Sequence, residues 1–119
     1  WYLALYSGAI SPAAGWTAAS FAATANEIVS GTEGYSETTR RNFQPGAATA
    51  NTIDNTSNKG AFTIVTASSL TVHGAALLSD NVKGSTSGVL VSATRFTTPR
   101  VLQNTDVYNV GYRVSLTSS

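Results

Sequence analysis

The chain reads as an all-β protein: a single antiparallel β-sandwich, jelly-roll-like, over residues 1–119, with about seven or eight strands. Three observations lead there. Short runs rich in Val, Ile, Thr, Tyr and Phe recur between clusters of Gly, Pro, Asn and Ser, which is the rhythm of a sandwich or barrel. Ser and Thr number 15 and 17, and both do better on strands and in turns than inside helices. No ladder of helices falls at the intervals a parallel βαβ sheet needs.

Residues 70–96 organise the rest. Leu70-Thr71-Val72-His73-Gly74-Ala75-Ala76-Leu77-Leu78 and Val89-Leu90-Val91-Ser92-Ala93-Thr94-Arg95-Phe96 are two apolar, β-favouring runs around a Gly, Ser, Asp and Asn loop. The pattern predicts two strands joined by a solvated connection of about ten residues, too long for a two-residue hairpin. Two strands alone are marginal in water, so the other segments must cover them.

Trp1-Tyr2-Leu3-Ala4-Leu5-Tyr6 predicts an opening strand, ended by Ser7-Gly8 and by Ser11-Pro12. Residues 13–26 are Ala-rich, with Trp16 and Phe21 as anchors. Thr17 can cap a short helix from Ala18 to Ala25, although few large apolar groups lie there. A short helix and a single helical turn both stay open. Glu27-Ile28-Val29 is a short apolar piece, and Gly31-Thr32-Glu33-Gly34 a turn. Residues 35–43 form the most polar strand candidate, which predicts a place near an edge. Pro45 makes residues 44–50 a connector, and residues 51–58 a short edge strand or irregular loop. Ala61-Phe62-Thr63-Ile64-Val65-Thr66 is a strand. Thr97-Thr98-Pro99 is expected to stop strand pairing after Phe96. Asn104-Thr105-Asp106 is a turn, and Tyr108, Val110, Tyr112, Val114 and Leu116 then alternate cleanly, the mark of a last strand with one face on a core.

Charged residues make up 11% of the chain, well below the usual share of roughly a quarter. A net charge of +1 gives no electrostatic case for nucleic acid or an anionic membrane. The sparse charge is also a weak defence against association, which suggests a surface covered in an assembly. Without Cys, disulfides and thiolate metal sites are excluded. No apolar run reaches the roughly 20 residues of a membrane span, and no signal-peptide pattern is visible. The first residue is Trp1, not Met, from which a processed or truncated start is expected.

Titratable groups are few and scattered. His73 is the only imidazole. It could serve as a general base with Asp80 or Asp106, but a half-exposed sheet position, on the parity of Thr71, Ala75 and Leu77, is the plainer expectation. Asp54, Asp80 and Asp106 read as turn residues that bond their own backbone. Glu27, Glu33 and Glu37 lie in one region without the dense acidic loop a hard cation needs. Asn55-Thr56-Ser57 has the spacing of a glycosylation acceptor, which matters only in a secreted protein. Gly84-Ser85-Thr86-Ser87-Gly88 is flexible-loop composition with no helix behind it, so it is not a phosphate cradle. Arg40-Arg41 would point to opposite faces of a strand, making a solvated edge rather than a basic patch. The aromatics Trp1, Tyr2, Tyr6, Trp16, Phe21, Tyr35, Phe43 and Phe62 could line a sugar groove, with core packing the default. No catalytic, cofactor or metal residue emerges, so the chain is expected not to be an enzyme.

The order of the pieces resembles a set of small virion proteins of tailed bacteriophages, tail-fibre-like or minor structural proteins. The opening strand at Trp1-Tyr2-Leu3-Ala4-Leu5-Tyr6 is followed by a variable Ala/Gly/Pro segment, and Gly34-Tyr35-Ser36 leads into a polar strand ending at Arg41-Asn42-Phe43. Val72-His73-Gly74-Ala75-Ala76-Leu77-Leu78-Ser79-Asp80 looks like the family's strand with a His and a closing Asp. Gly88-Val89-Leu90 and then Pro99-Arg100-Val101-Leu102-Gln103-Asn104-Thr105-Asp106 look like the approach to its last turn. Asn104-Thr105 stands where a Gly-Asp turn is more usual, and the family's segment before the Trp is absent here. The resemblance implies a β-sandwich with no catalytic residues, located in the virion. Its partners would be other virion proteins, either the major capsid protein or tail proteins, and a symmetric homo-oligomer is expected. The leading expectation is a capsid decoration or cement protein. The alternative is a tail or fibre-associated attachment protein with a receptor- or glycan-binding role.

Overall fold

The computed structural model describes residues 1–46, 52–55 and 58–115. In chain order the elements are β1 (Tyr2–Tyr6), α1 (Ala18–Ala25), β2 (Gly34–Tyr35), β3 (Arg41–Asn42), β4 (Thr52–Asp54), β5 (Gly60–Val65), β6 (Leu70–Leu78), β7 (Leu90–Leu102), β8 (Val107–Val110) and β9 (Arg113–Ser115). One antiparallel sheet has the order β3-β1-β6-β7, a second β2-β5-β8, and β4 and β9 form a ribbon. The protein is an all-β sandwich with one short helix. From β1 to β8 the chain keeps crossing between the two main sheets, so β1 finds its long partner in β6, from Tyr2 opposite Leu78 to Tyr6 opposite Gly74.

β1 and β6 are buried on both faces, which explains why they carry almost no charge. Toward the second sheet, Leu3, Leu5, Val72, Ala75 and Leu77 meet Tyr35, Phe62, Ile64, Val110 and Tyr112. Full burial of side chains such as Phe62 and Ile64 contributes roughly 1.5–3 kcal/mol each. Toward the helix, Ala4, Tyr6, Ala76 and Leu78 meet Ala18, Phe21 and Ala25. The small Ala side chains let α1 lie close on the sheet, and Tyr6, Trp16 and Phe21 seal it with ring centroids 5.9–6.2 Å apart. Of the two outcomes left open for this segment, the helix forms. The Ser20 hydroxyl accepts the Thr17 N–H at its start, and Asn26 ends it in the left-handed region at φ 58°.

Several elements differ from the expectation. Residues 35–43 are not one strand: β2 pairs with β5 and β3 with β1. The segment crosses between the sheets because Glu37 and Arg40 are bound to other parts of the chain. Strand pairing does not stop at Thr97-Thr98-Pro99. β7 continues to Leu102, with Phe96, Thr97, Thr98 and Pro99 all standing opposite the single residue His73. A proline is tolerated there because a bulge on an edge strand needs no N–H from it. The last strand breaks at Gly111-Tyr112, where the Asn55 amide accepts the Tyr112 N–H at 2.7 Å and donates to the Val110 carbonyl at 3.3 Å. Tyr108, Val110 and Tyr112 still face inward, while Leu116 and the tail lie outside the described residues, as do parts of 44–50 and 51–58.

His73 also changes face. The bulge shifts β6 by one position, so Val72 and Ala75 share the inter-sheet core and His73 does not lie on the side of Ala75 and Leu77. Gly74 is required by close approach: a Cβ there would run into the Tyr6 ring and the Thr94 carbonyl.

Candidate functional site

The six carboxylates of the chain are all engaged internally. Glu27 forms a fully buried ion pair with Arg40, at 2.7 Å and 2.8 Å from two guanidinium nitrogens. It also accepts the Gly84 N–H at 3.2 Å. Arg40 donates to the carbonyls of Asp80, at 2.9 Å, and Ser85, at 3.4 Å. Lys83 lies 3.8 Å from the centroid of the Tyr35 ring and donates to the Tyr35 carbonyl at 2.9 Å. The connection between β6 and β7 is therefore pinned to residues 27–40 rather than simply solvated. Arg40 is buried, which corrects the expected solvated edge at Arg40-Arg41. Only Arg41 is partly open, on a groove of about 320 Å³ shared with Lys59.

The Thr66 hydroxyl and the Ala67 N–H hold the Glu33 carboxyl below its ordinary value. Burial works against the charge of Glu37, and the Thr63 N–H and hydroxyl outweigh it, so this carboxyl also lies low. The Val82 N–H and the Ser85 hydroxyl lower Asp80. Loss of hydration lowers the Lys83 ammonium. Burial, reinforced by Glu27, pushes the Tyr35 hydroxyl far above its ordinary value, and that hydroxyl has no hydrogen-bond partner among the described residues.

These contacts place each candidate. Glu27, Glu33 and Glu37 diverge to Arg40, Thr66 and Thr63 and do not converge on one point. His73 Nδ1 faces the Ser7 carbonyl at 2.9 Å, which makes it the donor. Asp80 and Asp106 bond their own loops, at the N–H groups of Val82 and Gln103. Asp54 is not a turn residue: it lies in β4 and pairs with Arg113 at 3.5 Å. Asn55 is buried and engaged with Val110 and Tyr112. Thr56 and Ser57, the rest of that acceptor pattern, lie outside the described residues. Most of the singled-out aromatics are core: Tyr35 packs edge-on against Phe62 at 4.8 Å and Phe43 against Tyr112 at 6.4 Å. Trp1 is 53% exposed.

The surface that stands apart is β7. It is the terminal strand of its sheet, 13 residues long, and no residue in it is fully buried. Val91 and Val101 are 45% and 60% exposed, with Val89 before it and Val107 after it similarly open. Arg95 and Arg100 flank the bulge and lie on a groove of about 480 Å³ with Phe96, Tyr108 and Gly111. Phe96 and Tyr108 meet edge-to-face at 6.4 Å and form an apolar wall. Neither arginine has a carboxylate at ion-pair distance among the described residues. Among the described residues Arg95 reaches the Ser11 hydroxyl, at 3.5 Å, and Arg100 bonds the Tyr108 hydroxyl. The sequence does not announce this surface, because Pro99 predicts a break in strand pairing. The absence of any acidic residue between Asn81 and Thr105 was the available signal.

With this geometry in hand, comparison with family models, curated proteins and solved structures returns no match. The class stands on the structure alone: a small antiparallel β-sandwich with a helix on one outer face and an open, cationic edge strand.

Proposed function

We propose that this chain is a structural component of a bacteriophage virion, a capsid decoration or cement protein that binds the shell and stabilises it. The observation that carries this is the contrast on β7. An edge strand with exposed valines and with arginines that lack carboxylate partners among the described residues is a surface left open in a molecule whose acidic side chains are bonded within the fold. A cement protein adds interface area to the assembled state and so stabilises it by mass action. The sequence resemblance supplies the virion as the setting. Purified particles should contain the chain at a copy number near that of the shell subunit, measured by quantitative mass spectrometry. Absence from particles overturns the proposal, and a few copies per particle moves the chain to the tail.

One observation favours the second reading, a tail or fibre attachment with a glycan-binding role. Trp16 is half-buried on a groove of about 360 Å³ with Pro12 and Leu90, where a sugar face could stack. A glycan array with the isolated chain tests this reading, and Trp16→Ala should remove any signal.

A further inference from the structure

We propose that the bulged edge of β7 is a docking site for a carboxylate-bearing, extended segment of a different protein, gripped between Arg95 and Arg100. The inference deepens the assembly reading above and rests on it.

Two facts narrow the occupant. The first is charge. Arg95 and Arg100 are exposed and lack carboxylate partners among the described residues. A second copy of this chain could not supply those partners readily, because Glu27, Glu33, Glu37, Asp54, Asp80 and Asp106 are all engaged within the fold. The second is shape. Self-pairing of β7 across a two-fold would bring two bulged strands together, each carrying Pro99 and a surplus residue at Val91 as well. Bulges, proline and like charge are the devices that keep identical edges apart.

The same features suit an acidic partner. The regular stretch from Ser92 to Arg95 keeps its pairing with β6, and no strand among the described residues pairs with its other edge, which can take an added strand. The bulge then widens the edge into the Arg95 and Arg100 groove, where a carboxylate can be held by planar donor forks. Phe96 and Tyr108 supply an apolar wall for the residue beside it.

The test uses the isolated chain, so it is separate from the particle copy number that tests the virion assignment. A short peptide alternating valine with glutamate, and a twin with glutamine in place of glutamate, are titrated into isotope-labelled protein while backbone amide shifts are followed. The glutamate peptide is expected to shift amides of β7 and Tyr108, to weaken with added salt, and to bind at least about tenfold more tightly than its twin. The double variant Arg95→Gln/Arg100→Gln is expected to lose that preference while keeping the native amide spectrum. Both residues are exposed, so folding should survive; if it does not, the glutamate-versus-glutamine preference of the unaltered chain decides alone. Equal binding of the two peptides, no shift at millimolar peptide, or shifts confined to the Arg41 and Lys59 groove would overturn the proposal. So would dimerisation in sedimentation that Val91→Lys abolishes, because it would make a second copy the occupant.

Discussion

Around Arg40 and along β7 the same few kinds of side chain meet opposite fates. Arg40 is fully buried, and its donors go to Glu27 and to the carbonyls of Asp80 and Ser85. Arg95 and Arg100 are exposed and have no carboxylate partner among the described residues. A guanidinium inside a sandwich must be paired, since an isolated buried charge costs several kcal/mol. On an edge strand water does that work, and the charge stays available to a partner. The difference teaches where this fold is fixed and where it is open to contact.

Breaking the buried pair should have the largest effect. Arg40→Ala removes the ion-pair partner of Glu27 and leaves this buried carboxyl only the Gly84 N–H, and denaturant unfolding should show a loss of about 3–5 kcal/mol. That is a large part of the 5–15 kcal/mol that domains typically possess. Replacing both partners, Glu27→Leu with Arg40→Met, should recover most of it, because well-packed apolar groups often substitute for a buried pair without net loss. If the single and double variants are equally unstable, packing of the Arg40 stem matters more than charge.

Gly74→Ala should rank second. The added methyl meets the Tyr6 ring and the Thr94 carbonyl, and overpacking of this kind costs typically 1–3 kcal/mol. A thermal melt that leaves the midpoint unchanged would show that β6 can shift at its bulge.

Acid should weaken the hydrogen-bonded carboxylates before it affects β7. Glu33, Glu37 and Asp80 have folded values below their ordinary 4.5 and 3.8. A group depressed in the folded state contributes stability above its unfolded value, and that contribution is lost as pH falls through the folded one. The denaturation midpoint should therefore decline as pH drops below about 5. Glu33→Gln with Glu37→Gln should flatten that slope, as followed by intrinsic fluorescence. A slope unchanged by the double variant would place the acid sensitivity elsewhere.

The smallest effect on stability is expected on β7. Val101→Lys and Arg100→Gln should each stay within about 0.5 kcal/mol of the parent, since both sites are exposed. A loss above 2 kcal/mol at either position would mean that the edge is part of the core.

Much of the frame follows from pattern alone. The runs at Leu3, Leu5, Phe62, Ile64, Val72 and Leu77 carry period-2 or doubly buried apolar signals, and these residues form the core as such signals require. The inward parity of Tyr108, Val110 and Tyr112 was legible even though the strand breaks. Ion pairing of Glu27 with Arg40, thirteen residues away, was not legible, because neither residue has a local signature. The hold of Arg40 and Glu27 on the loop at Asp80, Ser85 and Gly84 was hidden for the same reason. Pro99 misled because its effect depends on whether the strand lies inside the sheet or at its edge.

Alternation of apolar and polar side chains depends only on neighbours along the chain, so the strands and their buried faces could be read from the residues directly. Which strand pairs with which, where β6 and β7 slip out of register, and which arginine is enclosed depend on contacts between distant segments. Those choices exist only once the two sheets have closed on each other.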